Sequence, residues 1–336
     1  MRTTQDSALH QEISKSFEKI NSLVREWFLL NRKKMGLAGF GYGIKYYPHK
    51  RSSHPVLQFF VPQKIDSSLL ANGQRIPDLL FGLKTQVIES GHVRSLSAIG
   101  NSKTAQFGES AAHPGVPAGT MGAPVYRYSS ANRETAPAVF LLSNNHVFAN
   151  YNKATKGDPI LQPGRADWGR SPGDIVGHLI DWVPIIFETD VSLDAKQNKV
   201  DAAIAIPEVG TLVSEHMPKI GKISSWRPID DISIDLSVMK IGRTTGFTQN
   251  KIISVHASYV VDFIGIGTAF FEDQLICSYL GNGGDSGSLV LASEDSSAVG
   301  LLFARSDKVT IVNYIEHIQD LLNVTTSPTT WRRPIE

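Results

Sequence analysis

Apolar residues recur at spacings of three and four at the start of the chain, where Leu9, Ile13, Phe17, Ile20, Val24, Trp27 and Phe28 fall on one helical face. Asp6 or Ser7 is placed to cap this helix and Gly36 to stop it, while Arg32, Lys33 and Lys34 suit the negative end of its dipole. Such a helix is expected to pack on the molecule itself, with partner docking as the lesser reading. From Gly39 the period shortens to two. Residues 41–47 and 56–61 alternate as strands, and residues 50–54 and 64–66 read as loops. Residues 36–97 are therefore expected to form a small α/β domain.

From about Ala98 short apolar stretches are separated by clusters of Gly, Pro, Asn and Asp, at residues 157–159, 163–165, 171–174 and 226–228. That punctuation predicts an all-β region of many strands. Residues 314–322 return to a helical spacing and close the fold.

Three segments of the β region carry chemistry. Gly284-Asp285-Ser286-Gly287, followed by Ser288 and an apolar strand, puts a hydroxyl in a tight turn of small residues. A serine hydroxyl is inert at neutral pH without a base, and the base needs an orienting carboxylate. His146 ends the apolar strand 139–142 and is the candidate base; Asp201 stands just before the small apolar strand 202–206 and is the candidate carboxylate. Each motif alone has an ordinary structural reading, as a surface histidine, a strand-end aspartate or a plain turn. Together, in the order His, Asp, Ser and with room for strands between them, they point to nucleophilic catalysis. Asp190 and Asp194 are rival carboxylates in a polar, loop-like stretch.

With these residues the chain resembles the trypsin-like (chymotrypsin-fold) serine peptidases. Leu142-Ser143-Asn144-Asn145-His146-Val147 is similar to the histidine motif of disulfide-free bacterial members, and Gly242-Arg243-Thr244-Thr245-Gly246 to the segment that opens their second barrel. Residues 118–122 and 162–164 resemble a bacterial and plant group that includes the plant narrow-leaf peptidase. The resemblance runs from about residue 36 to about residue 320. It implies a mainly β fold of two six-stranded-type barrels, over 98–225 with His146 and Asp201 and over 226–325 with Ser286 and a C-terminal helix. The helix (1–35) and the small α/β domain (36–97) precede them, and a tail (326–336) follows.

The resemblance also implies roles. The amides of Gly284 and Ser286 would form the oxyanion hole, and Asp285 would need a positive partner. Lys240, just before Gly-Arg-Thr-Thr-Gly, is the candidate partner, with Arg243 next; an N-terminal ammonium is set aside because the chain extends far ahead of the barrels. Leu280 would approach the floor of the primary specificity pocket, with Phe303, Ala304 and Arg305 on its edge strand. An apolar floor argues against cleavage after Lys or Arg, and Arg305 departs from the glycine usual at its place.

Composition narrows the classes. The 336 residues are 41% hydrophobic, enough for several domains, and a formal net charge of +1 leaves no polybasic field for nucleic acid. No run approaches 18 apolar residues, so no membrane span is expected. Residues 1–12 are polar and lack a signal-peptide core. A single cysteine, Cys277, forbids an intramolecular disulfide and reads as a buried small hydrophobe, so a cytoplasmic location is expected. His49, His54 and His92 lack ligand spacing, so neither a metal nor a cofactor is expected. Two function classes follow: a serine endopeptidase acting on protein or peptide substrates, or a latent or inactive peptidase-fold protein that binds a partner. A regulatory protein partner or a homo-oligomer fits either class.

Overall fold

A computed structural model describes residues 4–47, 50–71, 73–91, 106–128, 137–188, 197–214 and 216–327. Helix α1 (Thr4–Met35) is followed by β1 (Gly39–Tyr47), β2 (Lys50–Val61), β3 (Leu79–Leu80) and β4 (Leu83–Glu89). Then come β5 (Ser110–Ala111), β6 (Gly119–Thr120), β7 (Ala123–Arg127), β8 (Ala138–Ser143), the short helix α2 (Asn145–Phe148), β9 (Pro159–Leu161), β10 (Ile175–Trp182) and β11 (Ala203–Pro207). The remainder holds β12 (His216–Met217), β13 (Gly221–Lys222), β14 (Ser237–Gly242), β15 (Gly246–Phe263), β16 (Gly267–Ser278), β17 (Leu289–Ala292), β18 (Ala298–Arg305), β19 (Val309–Tyr314) and α3 (Ile315–Leu322). The molecule is mainly β, as the punctuated apolar pattern implies.

Strands β7-β8-β11-β10-β9 form a five-stranded sheet, and an isolated bridge between Ala112 and Leu161 ties β9 to the β5–β6 pair. Strands β14-β17-β18-β19-β16-β15 run in that order, and the pairing of β14 with β15 closes them into a ring of six. Ladder bonds that close on themselves leave no exposed edge in that ring. The small residues Ala202, Ala203 and Ala205 pack with Leu141, Leu142 and Val125 in one core; Val238, Leu275, Val290 and Leu302 lie in another.

Strand β15, 18 residues long, is too long for the ring alone. Its first part, to Lys251, pairs with β14, and from Val255 the same edge takes β1, with Tyr42 opposite Val255 and Gly39 opposite Tyr259. The approach is close: a Cβ on Gly39 would lie 2.4 Å from the Tyr259 ring. Strands β1, β2 and β4 therefore continue the ring's sheet, with β2 and β4 parallel. This departs from the expected small α/β domain over 36–97. Phe40 and Leu57 share one core with Val290, Leu302 and Val312, because an unpaired strand edge gains hydrogen bonds by taking another strand rather than standing apart.

Residues 50–54, expected as a loop from their composition, belong to β2, where Tyr47 faces Lys50 and Tyr46 faces Arg51. Pairing across a hairpin overrides the low strand preference of Lys, Arg and Ser. Helix α1 begins at Thr4, ahead of the expected Asp6 or Ser7 cap, and stops at Gly36, whose φ of 65° suits glycine. Its second half packs on the molecule: Trp27 lies 5.1 Å from Phe59 and Phe28 5.1 Å from Phe40, and Arg25 pairs with Glu272 at 2.5 Å. Burial raises the Glu272 carboxyl above its ordinary range, opposed by Arg25. His49, His92, Asp190 and Asp194 lie outside the described residues, as does the tail beyond residue 327.

Candidate active site

The apolar strand β8 ends at Ser143, and the single turn α2 lifts His146 from it. Asp201, two residues ahead of β11, reaches the histidine twice: its Oδ2 lies 2.5 Å from His146 Nδ1, and its Oδ1 accepts the His146 backbone N–H at 3.1 Å. A carboxylate can only accept here, so the proton sits on Nδ1 and leaves Nε2 as the open acceptor. Nε2 is buried and has no hydrogen-bond partner among the described residues.

Ser286 sits in the turn between β16 and β17, where Gly284 and Gly287 take φ of 88° and 94° that only glycine adopts without strain. Close approach also requires Gly287, since a Cβ there would lie 2.2 Å from the Thr120 carbonyl oxygen. Thr120 binds the turn to the other sheet: its N–H donates to the Ser286 carbonyl at 2.7 Å and its hydroxyl to the Gly284 carbonyl at 2.6 Å. Ser143, three residues before His146, donates to the Thr120 carbonyl at 2.7 Å. The histidine-bearing and serine-bearing segments are thereby stitched together. The Ser286 hydroxyl points to the Phe303 carbonyl at 3.4 Å, on strand β18. Neither the Gly284 nor the Ser286 amide has a protein acceptor among the described residues.

Asp285 is held from all sides. Its Oδ1 accepts the Thr244 and Thr245 amides at 2.9 and 3.2 Å; its Oδ2 accepts the Thr245 hydroxyl and the Asn282 amide, both at 2.7 Å. Lys240 Nζ lies 3.3 Å from Oδ2 and donates to the Gly246 carbonyl at 3.0 Å and the Thr245 hydroxyl at 2.5 Å. Burial lowers the Lys240 ammonium from its ordinary value, and the Asp285 charge opposes that shift. Arg243, the alternative partner, is instead committed to buried Asp167, with Nε 2.6 Å from its Oδ2.

A second set of side chains, mostly aromatic, packs around His146. Ser286 and Asp201 are 0% exposed and His146 1% exposed. Phe263, at the end of β15, meets the His146 ring edge-on at 5.9 Å, and Tyr151 lies 5.7 Å away on the same imidazole. Phe187 packs on Phe263 at 5.3 Å, and Phe271 lies between Phe263 at 6.2 Å and Phe303 at 4.6 Å. Phe303 and Ala304 lie in this aromatic layer, whereas Leu280 is buried in the ring's core with its amide on the Thr310 hydroxyl at 2.9 Å. Arg305 is half-buried beside an open cavity of about 490 Å³ lined also by Glu89, Gly91 and Asp307.

Sequence reasoning did not single out Thr120, Asp167, Phe263, Asn313 or Gln274. Only Thr120 had a signal, as part of the Gly-Thr-Met-Gly run; Asp167, Asn313 and Gln274 meet Arg243, Asp201 and Lys199 across 76, 112 and 75 residues, and Phe263 meets His146 from a distant strand.

No family model and no curated protein matches the chain. Among solved structures it is similar to Thermobifida fusca Protease A, at 15% identity over 66% of this chain and 97% of that one, with a TM-score of 0.45. It is likewise similar to a Cellulomonas bogoriensis chymotrypsin (13% identity, 67% and 99% covered, TM-score 0.42) and to an alpha-lytic protease homolog, N4 (12% identity, 67% and 100% covered, TM-score 0.44).

Proposed function

We propose that the chain is a serine endopeptidase of the chymotrypsin type, with its two β units as the two barrels and protein or peptide as substrate. The observation that carries this reading is the 2.5 Å bond between His146 Nδ1 and Asp201 Oδ2, which leaves His146 Nε2 an unpaired, buried acceptor. Buried polar atoms are seldom left without a partner unless a function needs them.

In this reading the Ser286 hydroxyl turns from the Phe303 carbonyl to His146 Nε2. It then attacks the peptide carbonyl while the imidazole takes its proton. Negative charge developing on the carbonyl oxygen is received by the Gly284 and Ser286 amides. The imidazolium, steadied by Asp201, returns the proton to the leaving amine. Water then hydrolyses the acyl-enzyme by the same route. The aromatic layer of Tyr151, Phe187 and Phe263 would border the substrate on the His146 side. Labelling by a fluorophosphonate probe tests the reading: wild type should react and Ser286→Ala should not. His146→Ala should lose nearly all turnover, on the order of 10⁶-fold for a member of such a unit. A wild type that stays unlabelled after prolonged exposure, or variants that hydrolyse peptides at the wild-type rate, would end it.

A further inference from the structure

We propose that Asn313, fixed by Gln274, is a positioning residue for the triad acid, holding Asp201 in place from the ring that carries Ser286; this rests on the peptidase reading. Both backbone polar groups of Asp201 are taken by buried asparagine side chains. Its carbonyl accepts Asn144 Nδ2 at 2.7 Å, and its N–H donates to Asn313 Oδ1 at 3.0 Å. Asn144 directly follows β8, so the first bond stays within the sheet of His146. Asn313 is on β19, so the second crosses to the six-stranded ring.

The amide orientations follow from the donors available. With Asn313 Oδ1 accepting from Asp201, its Nδ2 donates to Gln274 Oε1 at 2.7 Å. Gln274 Nε2 must then face acceptors, and it meets the carbonyls of Lys199 at 2.8 Å and Glu272 at 2.6 Å. The chain of bonds returns to the segment it started from, two residues before Asp201. Asn313 and Gln274 are cross-strand partners in the β16–β19 register, and both are fully buried. An apolar pair at these positions would fill the core without demanding partners. What the amide pair adds is two fixed points on the strand that presents Asp201. Asn198 extends this hold, donating its N–H to the Phe270 carbonyl at 2.9 Å and accepting the Glu272 N–H at 3.0 Å.

Removal of the Asn313 amide takes away the Asp201 N–H acceptor and lets the carboxylate shift against the imidazole. Displacements of about 1 Å in a catalytic group cost up to roughly 10²-fold in rate. The test uses full-length Asn313→Ala and Gln274→Met, checked for folding by circular dichroism. Proton NMR with labelled histidine follows the far-downfield Nδ1 proton of a short imidazole–carboxylate bond, and kinetics separate kcat from KM. Folded Asn313→Ala should lose that resonance, with kcat down roughly 10- to 100-fold and KM little changed; Gln274→Met should show the same effects more weakly. A folded Asn313→Ala that keeps both the resonance and kcat overturns the proposal. If Asn313→Ala does not fold, Gln274→Met decides by the same readings. A wild type unreactive to fluorophosphonate would sink the peptidase reading, while the resonance would still decide whether Asn313 positions Asp201.

Discussion

Lys240 and Asp285 face each other at 3.3 Å with neither side chain exposed, directly beneath the turn that carries Ser286. The ammonium also reaches the Thr245 hydroxyl, which itself donates to Asp285, so the three groups form one closed unit. Burial of two charges is costly unless each finds its opposite, and losing one partner of such a pair costs about 3–5 kcal/mol.

Lys240→Met should therefore lower the thermal midpoint strongly and disturb the turn from Gly281 to Gly287, because Asp285 anchors it through the Asn282 amide. Fluorophosphonate labelling of Ser286 should fall with it. Changing Asp285 to Asn in the same chain should recover part of the lost stability, since no uncompensated charge is then buried. Wild-type labelling in a folded Lys240→Met protein would show that the pair is not needed to shape the nucleophile turn.

Phe263 packs edge-on against the buried His146 ring, so removing its side chain should widen access to the site. Phe263→Ala is expected to raise the fluorophosphonate labelling rate while costing stability, about 3–5 kcal/mol for a fully buried phenylalanine. Stopped-time labelling, paired with a denaturation curve to confirm folding, measures both effects. A folded variant labelled no faster than wild type would place the barrier elsewhere.

Asp273 lies between His256 at 2.6 Å and His317 at 2.6 Å, joining β16 to β15 and α3. Burial works to raise its carboxyl, but the hydrogen bonds and charges of His256 and His317 prevail and hold it well below the carboxylate range. A group depressed on folding stabilises the protein above its unfolded value, about 3.9 for aspartate. That contribution is lost as pH falls below this value. Asp273→Asn should lower the melting midpoint at neutral pH, and the gap to wild type should narrow on acidification past about pH 4. A gap unchanged between neutral pH and strong acid would contradict this linkage.

Cys277 is fully buried on β16, and burial pushes its thiol up to about 12. The thiolate is the reactive form, so the native protein should not consume iodoacetamide or a disulfide reagent at pH 8. The same protein in denaturant should react fully. Rapid labelling of the folded chain would mean that β16 opens locally.

Features set by local chemistry were open to reading from the sequence alone. The spacing that forms α1 and its stop at Gly36, the glycines that permit positive φ around Ser286, the apolar strand ahead of His146 and the small-residue strand after Asp201 each carry their reason within a few residues. Those local patterns also brought Asp201 forward as the candidate partner of His146, whereas Lys240 came forward as the candidate partner of Asp285 only from the resemblance around Gly242-Arg243-Thr244-Thr245-Gly246. Only the folded chain decides the rest. That β1 continues the ring depends on the free edge of β15, some 215 residues away, and residues 50–54 become strand because pairing with β1 outweighs their composition. Arg243 finds Asp167 across 76 residues and Asn313 finds Asp201 across 112, and Phe263 meets His146 from another strand. A hydrogen-bond donor or an aromatic ring carries no mark of which distant group will satisfy it; burial and strand register bring the partners together and select the pair.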